Sequence, residues 1–209
     1  MIPDQTVETP VSLNMTPYSG PWTADEASHL LRRTMFGPTF QQIQDAVSNG
    51  MSATVTSLLT IPALNPPLTY LSDETIAPFG TTWVNSVYPS GNSDPTENAR
   101  NMSLAGWMME KINTESFSIA EKLCLFWQNH FAAENSFDAR ATYNYHNLMR
   151  THALGNFKQL IKEMTIDPSM LFFLNGVSNQ SFSPNENFAR ELLELYTIGK
   201  GPQIGDGDY

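Results

Sequence analysis

The chain has 209 residues and a formal net charge of −10; 41% of it is hydrophobic and only 15% charged. That length can bury a core, an acidic balance with no Lys/Arg cluster excludes a nucleic-acid surface, and no apolar run approaches the roughly 18 residues of a membrane-crossing helix. The single cysteine, Cys124, excludes an intrachain disulfide and a cysteine-rich metal site.

Residues 1–22 are rich in Pro, Thr and Ser and read as an extended arm. They have neither the basic n-region nor the apolar h-region of a signal peptide. Helix starts then follow as local signals. Thr23-Ala-Asp-Glu26 and Ser118-Ile-Ala-Glu121 fit the capping box, and Thr39-Phe-Gln-Gln42 is its glutamine form. Asp167-Pro168 and Ser183-Pro-Asn-Glu186 place proline at the first helical position, where its missing N–H leaves no bond unmade. Glycines 37, 50, 155, 176 and 199 stand where apolar-periodic runs end. The pattern predicts helices near 24–36, 40–49, 53–60, 97–113, 119–133, 138–153, 157–166, 168–174 and 184–198. No segment alternates with period two, so the expected class is all-α: an irregular multi-helix bundle without significant sheet, forming one domain over 23–209.

Residues 61–95 interrupt this pattern with six prolines and two aromatic islands, "LTYL" and "TTWV". A connection this long is either an excursion anchored over the surface or a lid beside a site.

Two helices carry the candidate chemistry. After Ser118, Ile119, Leu123, Phe126, Trp127 and His130 fall within roughly 100° of one another, which is expected to turn His130 inward and leave Asn129 on the flank. Its imidazole is then either a buried group bonded to a carbonyl or carboxylate, or an acid/base group of an enclosed polar site. In "SPNENFARELLELYTIG", Phe188, Ala189, Leu192, Leu193, Leu195 and Tyr196 share a broad apolar face. Asn187, Arg190, Glu191 and Glu194 form a polar stripe opposite it. That stripe is either a solvated face, with Arg190 bridging Glu186 and Glu194, or part of a polar site inside the bundle, where two carboxylates with an arginine, and His130 behind them, hold a metal or serve as acid and base. Arg32 and Arg33 flank the inner face of the first helix, Arg150 and His152 sit at a helix C-terminus, where the dipole stabilises cations, and structural ion pairing is expected for the arginines. His146 and His152, six apart, share no helical face as a metal pair would, and with His29 they make no recognisable metal spacing, so no metal ligand is assigned. Cys124 reads as a small core or boundary residue with no activating cation beside it.

Four segments, "HLLRRTMFGPTF", "EKLCLFWQNHFA", "MRTHALGNFKQLIKEMTIDPSMLFFLNG" and "NENFARELLELYTIG", resemble in order and spacing the bacterial family labelled domain of unknown function 1800. The resemblance implies a mainly helical, exported bacterial protein whose family pattern continues beyond the tail "GKGPQIGDGDY", so that this chain is a truncated N-terminal portion. The family's polar hallmarks fall on Arg33, Asn129, His130, Arg150, His152, Asn185, Glu186, Asn187, Arg190, Glu191 and Glu194. Two departures stand out: Gln128 and Tyr196 occupy positions where the family often has histidine. Two functions remain open. One is a hydrolase-like or glycan-processing enzyme using Glu191, Glu194, Arg190 and His130. The other is a non-catalytic binding or assembly module of an extracellular complex, in which Asn185, Glu186, Asn187 and the arginines are structural and excursion aromatics contact a glycan or protein. The cofactor, if there is one, is not specified by these residues.

Overall fold

The computed structural model describes residues 16–91, 93–114, 116–133 and 138–199. Among these the chain is all-helical, with two isolated antiparallel bridges (Leu68–Thr82 and Gln180–Ser183) and no sheet. The α-helices are α1 (Ala24–Thr34), α2 (Phe40–Asn49), α3 (Met51–Leu58), α4 (Asp94–Asn113), α5 (Ala120–His130), α6 (Ala139–Thr151), α7 (Phe157–Thr165), α8 (Pro168–Phe173) and α9 (Glu186–Glu194), with a single 3₁₀ turn at Gly176–Ser178. Most of the expected arm (1–15) and the tail from 200 lie outside the described residues.

Helices α1 to α3 form the N-terminal end. The capping boxes expected at Thr23 and Thr39 are both made, each cap oxygen taking an amide of the first turn while Glu26 or Gln42 takes the cap amide. Gly50, at φ +80°, ends α2 and opens α3 in one residue, a backbone state in which a side chain is strained. Ala27, Leu31, Met35, Ala46 and Leu58 close a small core against Phe117. This end is tied to the body by the Ile119 amide on the Leu58 carbonyl (2.9 Å) and the Ser118 hydroxyl on the Thr60 carbonyl (2.8 Å).

Those bonds correct one expected helix start. Ser118 is buried, donating to the carbonyl of Thr60 just beyond α3 and accepting from the Ala120 amide (3.2 Å), while Ile119 is the cap residue of α5 without a side-chain bond, and no capping box forms. Glu121 is instead buried and turned toward α6. The start of α9 is also two residues later than expected. Asn185, not Ser183, caps it by accepting from the Phe188 amide (3.1 Å), and its Nδ2 donates to the Asn175 carbonyl (3.0 Å). A cap that also closes the preceding turn outcompetes a Ser-Pro start that satisfies only its own helix.

The excursion between α3 and α4 is anchored, and α4 is its anchor. Thr96, Ala99, Arg100, Ser103, Leu104 and Trp107 repeat at helical spacing and are all buried. Trp107 donates to the Asn65 carbonyl (2.8 Å), Ser103 to the Leu68 carbonyl (2.6 Å), and Trp83 to the Ser103 hydroxyl (3.0 Å). Arg100 pairs with Glu74 and donates to the carbonyls of Ser86 (3.1 Å) and Val87 (2.9 Å). Its guanidinium also lies 4.4 Å from the Tyr88 ring, whose other neighbour at 4.4 Å is Arg140. Backbone polar groups of a long loop need partners once covered, and α4 supplies them.

The larger core lies between α5, α6, α7, α8 and α9: Phe131, Tyr145, Met149, Leu160, Met164, Met170, Leu174, Phe188, Leu192 and Tyr196. It takes in the buried side of α9, while α5 reaches it through Trp127 and through Phe131 just past its end.

Candidate functional site

The helix holding Glu121 and His130 is rotated from the apolar wheel. The buried residues of α5 are Ala120, Glu121 and Cys124, whereas Phe126 is 55% exposed, and Leu123 and Ile119 are half-buried. The apolar wheel is overridden because α6 presents Arg150 and His146 to this helix, and burying Glu121 against a guanidinium leaves both charges partnered. His130 is half-buried. Its Nε2 donates to the Tyr196 carbonyl across 2.8 Å, an acceptor-only group that fixes the proton on that nitrogen. Trp127, Phe131 and Tyr196 surround the ring edge-on. The imidazole therefore ties the end of α5 to the end of α9. Asn129 is exposed on the flank, as its spacing predicts.

On α9, Phe188, Leu192 and Tyr196 are buried, while Ala189, Leu193 and Leu195 of the expected apolar face are exposed. The helix stops at Glu194, so the last of these residues lie beyond its register. Arg190 is half-exposed; it donates to Asn187 Oδ1 (2.7 Å) and to Glu191 Oε1 (3.3 Å) rather than to Glu186 and Glu194. Asn187 and Glu186 are exposed, and Glu191 and Glu194 are partly covered. Arg33 is exposed in the last turn of α1. His152 meets Glu163 Oε2 at 2.9 Å, joining α6 to α7.

Behind this surface α5 and α6 enclose a polar cluster that no short motif announces. Arg150 pairs with Glu121, and its Nη2 also reaches the Pro62 carbonyl at 3.4 Å. Next to the pair stand Cys124 and His146; a donor atom from each of Glu121, Cys124 and His146 lies within 4.8 Å of the other two. All four residues are buried. Glu121 and Cys124 are three apart on α5, and His146 and Arg150 four apart on α6, so each pair occupies one face. Trp107 closes the third side, its ring edge-on to His146 at 5.5 Å. Neither His146 nitrogen, nor Arg150 Nε, has a hydrogen-bond partner among the described residues.

Burial sets the protonation here. It holds the His146 imidazole below the usual histidine range, against the pull of Glu121. Burial, reinforced by the Glu121 charge, pushes the Cys124 thiol up to about 12, although Arg150 lies beside it. The cation near Cys124 that the sequence did not disclose is thus present, but the thiol is a proton-bearing group and no ready nucleophile. The chemistry open to the cluster is that of a neutral imidazole, a thiol and a carboxylate converging as N, S and O donors.

A separate groove of about 550 Å³ runs between the excursion and α4. Asn65, Tyr70, Ser103, Trp107, Glu110 and Lys111 supply its polar and aromatic lining. Tyr70 is 58% exposed and packs edge-on against Phe79, itself 76% exposed. Lys111 Nζ lies 5.9 Å from the Trp107 ring. The aromatic island "LTYL" marks one wall in the sequence, but the facing wall on α4 carries no sign of its role.

The model of a protein family described as "Protein of unknown function (DUF1800)" matches residues 29–209. No curated protein and no solved structure matches the chain.

Proposed function

We propose, for a chain that belongs to the DUF1800 family, the role of a binding module of an exported bacterial protein, taking an oligosaccharide in the groove between the excursion and α4. The observation that carries this reading is the groove itself. Its volume of about 550 Å³ falls in the range of small-ligand sites. It combines an exposed phenol ring with an amide, a hydroxyl, a carboxylate and an ammonium group, and its loop wall is held to α4 by the bonds from Trp107 to the Asn65 carbonyl and from Ser103 to the Leu68 carbonyl. Sugar rings offer flat C–H faces to aromatic rings and hydroxyls to such polar groups.

This reading is preferred to the enzymatic one built on Glu191, Glu194, Arg190 and His130. His130 Nε2 is engaged by a backbone carbonyl, and Arg190 is half-exposed and turned to Asn187. Within the groove, Glu110 is the only carboxylate among the described lining residues, whereas glycoside hydrolysis ordinarily needs a pair.

Calorimetric titration with soluble cello-, chito- and malto-oligosaccharides tests the reading. One series binds, and Tyr70→Ala and Glu110→Gln each weaken it by roughly tenfold, about 1.4 kcal/mol, without moving the thermal midpoint. Absence of binding, or binding that both variants leave intact, refutes it. Release of new reducing ends that is lost in Glu191→Gln would restore the enzymatic reading.

A further inference from the structure

We propose that Glu121, Cys124 and His146 form a binding site for a divalent transition-metal ion of the zinc class, buried between α5 and α6. The donor set comes first: a thiol, an imidazole and a carboxylate are the three side chains zinc takes, whereas magnesium and calcium take oxygen alone. The helices present them as a bundle presents a metal site, with an i, i+3 pair on one helix and the third ligand from the facing helix.

The second, independent observation is His146. It is 7% exposed and lies within 4.8 Å of the other donors, yet neither ring nitrogen has a partner among the described residues. Buried imidazoles ordinarily bond through at least one nitrogen. A metal ion provides that bond. Tetrahedral zinc, at 2.0–2.3 Å from each ligand, holds its ligands roughly 3.5 Å apart, and donors that already lie within 4.8 Å of one another reach that spacing with small side-chain adjustments.

Charge is the obstacle to weigh. Arg150 stands beside the site, repels a cation and hydrogen-bonds Cys124 as well as Oε1 of Glu121 and the Pro62 carbonyl; the sulfur can keep that bond as a thiolate, and a carboxylate can serve a guanidinium with one oxygen and a metal with the other. Binding also releases the Cys124 proton to solvent, so the ion meets a thiolate. Thiolate and carboxylate then offset the ion, with Arg150 as the remaining positive charge. Three protein ligands leave a fourth position for water.

The test uses the full chain, stripped with a chelator and titrated with Co²⁺. The expected result is a single equivalent bound, with visible bands of tetrahedral cobalt and a near-ultraviolet thiolate-to-cobalt band, all displaced by Zn²⁺. Cys124→Ala abolishes the thiolate band. His146→Gln weakens binding by more than the roughly ten- to hundredfold of an outer-shell change. Because His146 is a core residue, melting in chelator establishes whether that variant is folded. Cys124→Ala, which loses only a sulfur, decides the matter if it is not. Zn²⁺ raises the thermal midpoint of the parent and not of Cys124→Ala. No saturable cobalt binding, or binding with the same spectrum and stoichiometry in Cys124→Ala, overturns the proposal.

Discussion

Arg100 and Glu74, 26 residues apart in sequence, form an ion pair whose side chains are 0% and 2% exposed. The pair is the bolt between α4 and the excursion, since Glu74 also accepts from the amides of Ile76 and Ala77 (2.8 Å each). Removing one buried partner strands the other charge. Arg100→Met is therefore expected to destabilise the chain by about 3–5 kcal/mol, and Arg100→Met/Glu74→Leu by clearly less than the sum of the single changes. Urea denaturation of the two single variants and the double variant checks this. Strict additivity would show that the pair is not the bolt.

The same carboxylate gives stability a pH dependence. Burial pulls the Glu74 carboxyl up, but the hydrogen bond from Arg100 and those from Ala77 and Ile76 outweigh it and hold the group below the usual carboxylate range. The unfolded chain then binds its proton more tightly than the folded one. Glu74 contributes stability that is complete above the ordinary carboxylate pKa of about 4.3 and lost as pH falls below it through the depressed folded value. Asp167, the cap of α8, has the opposite sign, because burial raises its pKa. Its penalty appears as pH rises from about 4 through the raised folded value. Asp167→Asn keeps an oxygen for the Ser169 amide and sheds the charge. It is expected to match or exceed the parent in urea midpoint near pH 7, with the advantage gone near pH 3. A loss of midpoint near pH 7 would contradict the burial argument.

Asn185 closes two structures at once, capping α9 and bonding back to the Leu174 (3.3 Å) and Asn175 (3.0 Å) carbonyls. Asn185→Ala is expected to lower stability by about 1–2 kcal/mol, while Ser183→Ala, on an exposed residue outside the helix, stays within about 0.5 kcal/mol. Thermal melts of the two variants separate the caps. Equal effects would return the helix start to Ser183.

Helix positions were legible because their signals are local. The boxes at Thr23 and Thr39 and the Asp167-Pro168 start need only neighbours in sequence, and each is made. The residues that failed are those for which two partners compete. Glu121 fits the third position of a capping box, yet a guanidinium from α6 offers a stronger bond than an amide within its own turn. Once Glu121 turned inward, α5 rotated with it, and Phe126 and the flank of His130 followed. The spacing held a usable sign: Glu121 and Cys124 at i, i+3, and His146 and Arg150 at i, i+4, each define one helical face. Which faces meet is a tertiary fact, and no local rule reports it. The anchoring role of Arg100 was hidden for the same reason, its partners being a carboxylate 26 residues away and loop carbonyls 13 and 14 residues away.

Two arginines among the resemblance's polar hallmarks separate cleanly by surroundings. Arg150 is buried with Glu121, and Arg190 is half-exposed on α9 beside Asn187 and Glu191. Solvent screening leaves an exposed pair worth well under 1 kcal/mol, so Arg190→Ala is expected to change stability by no more than about 0.5 kcal/mol. Arg150→Met leaves the Glu121 carboxylate buried without its cation and is expected to lose about 3–5 kcal/mol. Adding Glu121→Gln to Arg150→Met removes the stranded charge and should recover part of that loss, which a merely spatial role for Arg150 would not allow. Equilibrium denaturation of Arg190→Ala, Arg150→Met and Arg150→Met/Glu121→Gln reads all three. A large loss in Arg190→Ala would move the structural weight of the polar motif to the surface of α9, and failure of the double variant to recover would detach Arg150 from Glu121.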